Sequence, residues 1–151
     1  MKVIFLDIDG VLNGINYVKN SGKFGVVVDP ERMELLKSIV EATNAKIVLS
    51  SSWREHWNST PNNCDEIGLE LNKIFREHKL SLYDKTPELR FKRAEEIKAW
   101  LNDYPGTTHF VVLDDLEFTD QYICSHHIKT SDDDGGLTRV DSIRAIEILM
   151  E

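Results

Sequence analysis

Cysteine is nearly absent: Cys64 and Cys124 are the only two among 151 residues, and they stand far apart. A disulfide framework or a CxxC-type zinc site is therefore excluded, and a reducing, cytoplasmic setting is expected. Basic residues are also scarce, 18 Lys and Arg against 26 Asp and Glu, for a net charge of −8. Nucleic acid and acidic lipid repel such a chain at long range, although a local basic groove stays compatible with it. Long apolar runs are missing as well. No stretch nears the roughly 18 residues that a membrane span needs. The opening MKVIFLDIDG is cut by Asp7 and Asp9, unlike a signal peptide. Neither a membrane nor an obligate protein partner is implied. Repeats, low-complexity tracts and linkers are lacking too, so residues 1–151 read as one domain. At 41% hydrophobic and 29% charged, it has enough apolar material to fold without a staple.

What is present is an alternation of strand and helix signals. Lys2 to Ile8 reads KVIFLDI, apolar on both faces, which suits a central parallel strand. Residues 13–28 are polar and glycine-bearing, predicting a short hairpin-like flap with a scrap of strand at Val26 to Val28. Asp29-Pro30-Glu31 opens a helix with a capping carboxylate and a proline in its first turn, and Met33, Leu36, Ile39 and Val40 follow at helical spacing. Ala45 to Leu49 is a second buried strand. Further helices are expected over about 65–77 and 90–102 and after Thr138, with strands over 80–83, 109–113 and 122–128. The pattern predicts an α/β fold: a three-layer, Rossmann-like parallel sheet with helices on both faces and right-handed crossovers.

Ligands in such sheets bind beyond the carboxyl ends of the strands, and three strands end there in polar residues: Asp7-x-Asp9, Ser50 to Ser52, and Asp114-Asp115. Carboxylates from two strand ends can share Mg²⁺, which prefers hard oxygens. Serines at a strand-to-helix turn offer hydroxyl and N–H donors to phosphate oxygens. Arg90, Lys92 and Arg93 open a helix, where their charge opposes the dipole unless they face an anion. Trp53 and Trp57 read as packing residues, His126-His127 as structural, and Asp132 to Asp134 as a solvated loop from which one aspartate can reach the outer shell of the site.

In that order, FLDIDGVLN, IVLS followed by SSWR, RAEEIKAWL and FVVLDD resemble the motifs of haloacid dehalogenase (HAD) superfamily phosphohydrolases, in particular small capless members akin to RNA-repair phosphatases. The resemblance implies an HAD-like core with only a short flap after the first strand. It also implies a Mg²⁺-dependent phosphatase working through an aspartyl-phosphate. Asp7 would be the nucleophile and Asp9 the general acid and base. The metal would be held by Asp7, the Asp9 backbone carbonyl and Asp114, with Asp115 as a further or outer ligand. Ser50 or Ser51 would bind the phosphoryl oxygens, and Lys92 or Arg93 would supply the cation. Here the sequence departs from the simplest pattern, which has one lysine opening that helix. With no full cap, the open site suits a large or protruding substrate, such as a nucleotide or a polynucleotide phosphate end. Two alternatives are a receiver-like phospho-acceptor domain and a phosphotransferase of the same superfamily.

Overall fold

A computed structural model describes residues 1–151. Five strands form one parallel sheet: β1 (Lys2–Leu6), β2 (Lys46–Leu49), β3 (Leu82–Lys85), β4 (His109–Asp114) and β5 (His127–Lys129), in the order β3-β2-β1-β4-β5. The chain builds outward from β1 to β3, then crosses to the other side of β1 for β4. Strand order therefore reverses between β1 and β4, and the crevice beyond their carboxyl ends is where such a sheet accepts ligands.

Alternate residues of β1 feed two cores. Ile4 and Leu6 join Ile47, Leu49, Val111 and Leu113 in the larger cluster of 23 buried residues. Helices α2 (Pro30–Thr43), α3 (Glu66–Glu77) and α6 (Arg139–Met150) cover it through residues such as Met33, Leu36, Leu71, Phe75 and Leu149. Val3 and Phe5 join Val48, Phe110 and Val112 in a cluster of 8 on the other face, closed by Ile97 and Trp100 of α4 (Arg93–Asp103). Each fully buried aliphatic side chain contributes on the order of 1.5–3 kcal/mol, so this two-sided burial fixes the register of β1 and aims the residue after it. No helix is long and apolar enough to cross a membrane.

Helix starts follow their local chemistry. The Asp29 carboxylate accepts from Glu31 N at 3.0 Å ahead of Pro30, and Thr138 forms a reciprocal capping box with Asp141. Four expectations need correction. The flap is not a hairpin: Ile15–Ser21 forms a helix, α1, and Val26 to Val28 pair with no strand. Val26 and Val27 are buried nonetheless, because Asn13 Nδ2 donates to Val27 O at 2.7 Å and draws the segment onto the core. The helix expected from Arg90 begins at Arg93, since Arg90 and Phe91 lie in the left-handed region with φ of 55° and 64°. The strand expected over 122–128 is mostly replaced by the single-turn helix α5 (Gln121–Cys124), which the Asp120 carboxylate caps at Ile123 N. The strand expected over 80–83 starts at Leu82, because Leu80 N is spent closing α3 on Phe75 O.

Candidate active site

The site begins one residue past the paired strands. Leu6 is in register with Leu49 and with Leu113, and Leu49 with Lys85. The ladder continues through Asp7 N to Leu113 O, Ser50 N to Leu6 O and Thr86 N to Leu49 O, at 2.8–3.0 Å. Asp114, Asp7, Ser50 and Thr86 thus form a row across four strands, all on the α4 side by the twofold alternation of side chains. All four are buried.

The carboxylates of Asp7, Asp114 and Asp115 bring oxygens within 4.8 Å of one another. Burial first, and then the Asp114 charge, raise the Asp7 pKa to about 7 against the opposing pull of Arg93. Asp115 is raised by the same two causes in the same order. Arg93 is the counter-ion, its Nη1 lying 2.6 Å from Asp114 Oδ2 and 3.6 Å from Asp7 Oδ2. Burial works against its charge, but Asp114 and Asp7 outweigh it and raise its pKa. One guanidinium facing three acids leaves an excess of negative charge on hard oxygens, a donor set that fits a divalent cation such as Mg²⁺. Gly10 serves the same cluster. Its φ is +84°, and a Cβ there would meet Asp115 Oδ2 at 2.3 Å, so the glycine after Asp9 makes room for the acid that follows β4.

This electrostatic arrangement makes stability depend on pH. Asp7 titrates near 7 in the folded protein and near 3.8 unfolded. Between those values the unfolded chain binds fewer protons at this position, so without divalent cation stability falls as pH rises from about 4 to 7. The loss is of the order of a few kcal/mol. Mg²⁺ offsets the same repulsion, so thermal melts are expected to show a larger Mg²⁺-induced rise in Tm at pH 8 than at pH 5. Equal rises would contradict metal binding at this carboxylate.

The two serine candidates separate. Ser50 Oγ is wholly buried and has no hydrogen-bond partner, whereas Ser51 Oγ accepts from Trp53 N at 3.2 Å and caps the 3₁₀ turn Ser52–His56. Ser51→Ala is expected to cost about 1 kcal/mol of stability as a lost cap, read by denaturant melts. Ser50→Ala is expected to lower kcat/KM for phosphate release roughly 10- to 100-fold with little change in stability. The basic candidates separate too. Arg93 reaches the acids, while Lys92 and Arg90 are exposed and pair with none of them.

Asp9 stands beside the acidic cluster rather than in it. Its Oδ1 accepts from Asn13 Nδ2 at 3.0 Å and its Oδ2 from Trp53 Nε1 at 2.8 Å. That leaves its backbone carbonyl for the metal role expected of Asp9. Asp9 borders a cavity of about 450 Å³ shared with Trp53, Asp115 and Asp132 and walled by Ile15 and Val18 of α1. Asp132 therefore does reach the site's surroundings, and its Oδ1 accepts from Ile15 N at 2.7 Å to hold the start of α1. His127 has a structural contact, Nε2 lying 2.9 Å from the Asp114 carbonyl oxygen.

Two participants, Thr86 and Glu96, were not among the candidates read from the sequence. Thr86 completes the row, its buried Oγ1 also without a partner. Arg54 and Glu96 form a buried ion pair at 2.7 Å, and Glu96 Oε2 also accepts from Leu89 N at 2.8 Å. Glu96 Oε1 lies 3.9 Å from Arg93 Nε, so this pair ties the turn after β2 to the helix that carries Arg93. The Trp53 bond to Asp9 was equally hidden, because packing is the ordinary use of a tryptophan beside a core.

Comparison with curated proteins and with solved structures finds no match. The family described as the HAD domain in Swiss Army Knife RNA repair proteins matches residues 3–141, which run from β1 into α6 and include every residue of the site. On that coverage, and with the Asp-x-Asp-Gly turn, the buried serine and the Asp114-Asp115 pair at one sheet edge, the chain belongs to the family of HAD domains found in Swiss Army Knife RNA repair proteins.

Proposed function

We propose that this domain is a Mg²⁺-dependent phosphomonoester hydrolase that works through an aspartyl-phosphate on nucleic-acid phosphate ends. The observation that carries the reading is the in-register row of Asp114, Asp7 and Ser50, with Arg93 laid across its two acids. A buried carboxylate, an unpartnered hydroxyl and a fixed cation at one point support this reading, because positioning with electrostatic stabilisation is most of what phosphoryl transfer requires.

In the first half-reaction a carboxylate oxygen of Asp7 bonds to phosphorus in line with the ester oxygen. The phosphorus–oxygen bond to the leaving group breaks, and its electron pair departs on that oxygen, which takes a proton from Asp9. In the second, a water oxygen attacks the phosphorus of the aspartyl-phosphate and gives a proton to Asp9. Inorganic phosphate leaves and the Asp7 carboxylate is restored. Ser50 and Arg93 hold the equatorial oxygens through both steps. Bound between Asp7, Asp114, Asp115 and the Asp9 carbonyl, Mg²⁺ would neutralise charge on the phosphoryl group and its surrounding carboxylates.

The only regular element of the flap is α1, seven residues long with none of them buried, so nothing large closes over Asp9. An open edge of this kind admits a substrate that continues beyond its terminal phosphate, and the family's description places its members in RNA repair. The test is phosphate release with Mg²⁺ from 3′- and 5′-phosphorylated oligoribonucleotides, mononucleotides, sugar phosphates and phosphopeptides. The oligonucleotides are expected to be the best substrates, EDTA to silence release and added Mg²⁺ to restore it. A stable phosphorylated protein with no released phosphate would instead identify a receiver-like acceptor.

A further inference from the structure

Asp9 is exposed, and an exposed aspartate ordinarily samples several rotamers. This one is held at both oxygens by neutral donors from separate parts of the chain. Asn13 Nδ2 reaches Oδ1, and Asn13 is itself pinned, its Oδ1 accepting from Gly10 N at 3.1 Å and its Nδ2 donating to Val27 O at 2.7 Å. Trp53 Nε1 reaches Oδ2 from the turn that follows β2. The Trp53 ring packs on the larger core, and its backbone N is held by Ser51 Oγ, so the indole forms a stiff arm with its N–H at the tip. Of the three tryptophans, Trp57 gives its N–H to Asn72 and Trp100 to Asp84, and only Trp53 turns its N–H to the site.

We propose that Trp53 is a positioning residue that orients the Asp9 carboxyl for proton transfer to and from the reacting oxygen. The proposal rests on the reading of Asp9 as general acid and base. An indole suits the task because it donates one hydrogen bond and accepts none, so it fixes the carboxyl without competing for its proton. When Asp9 is protonated, one oxygen keeps the indole bond while the other delivers the proton to the departing ester oxygen. In the second step the same carboxylate takes a proton from the attacking water. Trp53 thus joins the turn that carries Ser50 to the acid of the first motif, so that phosphoryl binding and leaving-group protonation share one rigid element.

The decisive variant is Trp53→Phe, which keeps an aromatic ring against the core and removes the N–H. Its kcat/KM is expected to fall roughly tenfold for an alkyl phosphate, whose leaving group must be protonated. For 4-nitrophenyl phosphate, whose leaving group departs as an anion, the fall should be under about twofold. Equal losses on both substrates, or no loss on either, would overturn the positioning role. A second readout is independent of activity. The Trp53 indole ¹H–¹⁵N resonance, identified by its disappearance in Trp53→Phe, is expected to shift and to exchange faster with solvent in Asp9→Ala. An unmoved, equally protected resonance would overturn the contact itself. Failure of the unmodified protein to release phosphate from any monoester would instead reject the hydrolase reading and leave the indole measurement to decide the contact.

Discussion

Replacing Asp7 with asparagine is expected to abolish phosphate release, with kcat falling by at least roughly four orders of magnitude, as for removal of other enzyme nucleophiles. The amide has almost the same shape but no anionic oxygen to bond to phosphorus. Loss of folding does not account for the outcome, because the Asp7 carboxylate is a liability to the fold. It is buried, it faces Asp114, and its pKa stands at about 7. Removing that charge relieves repulsion and lets an amide donate to an adjacent carboxylate. Asp7→Asn without metal should therefore melt at the same temperature or higher at pH 8, while losing much of the Mg²⁺-induced rise in Tm. Phosphate release and thermal melts on the same preparation check both halves. Activity that survived the substitution would remove Asp7 as nucleophile.

The parts of this site that were legible in the sequence are those carried by strands. KVIFL, KIVL and HFVVLD are apolar on both faces, which marks them as central parallel strands, and the polar residues at their ends had to share an edge. What could not be read depends on backbone turns and on pairings across the fold. The choice between Lys92 and Arg93 turns on where α4 begins, and that is set by left-handed backbone at Arg90 and Phe91, residues with no glycine-like signal. The helix α1 buries no side chain, so it leaves no apolar periodicity to detect. Thr86 follows β3, whose pairing with β2 shifts register at Ile47 and Val48, and only the observed ladder places it beside Ser50. Arg54 and Glu96 look like surface charges until the fold buries them against each other.

Arg93→Ala is expected to lower kcat/KM for phosphate release by roughly two to four orders of magnitude, the range for loss of one preorganised charge at a reacting centre. Lys92→Ala, one residue earlier and exposed, should stay within about twofold, since charges at an open surface contribute little. The contrast is large because Arg93 has two duties. In the proposed reaction it is the cation that meets phosphoryl oxygens, and in the structure it is the only basic side chain paired with Asp7 and Asp114. Without it the acids repel each other more strongly, so the variant should need more Mg²⁺ for half-maximal activity as well as turning over slowly. Arg93→Lys separates the two duties. An ammonium restores charge, but it lacks the planar fork that spans Asp114, Asp7 and the Glu96 carboxylate in one side chain. Lysine should therefore recover much of the Mg²⁺ affinity and little of the rate. Rate and Mg²⁺ affinity recovered together would mean that position 93 supplies charge alone, and that the Arg54–Glu96 pair does not serve to orient it.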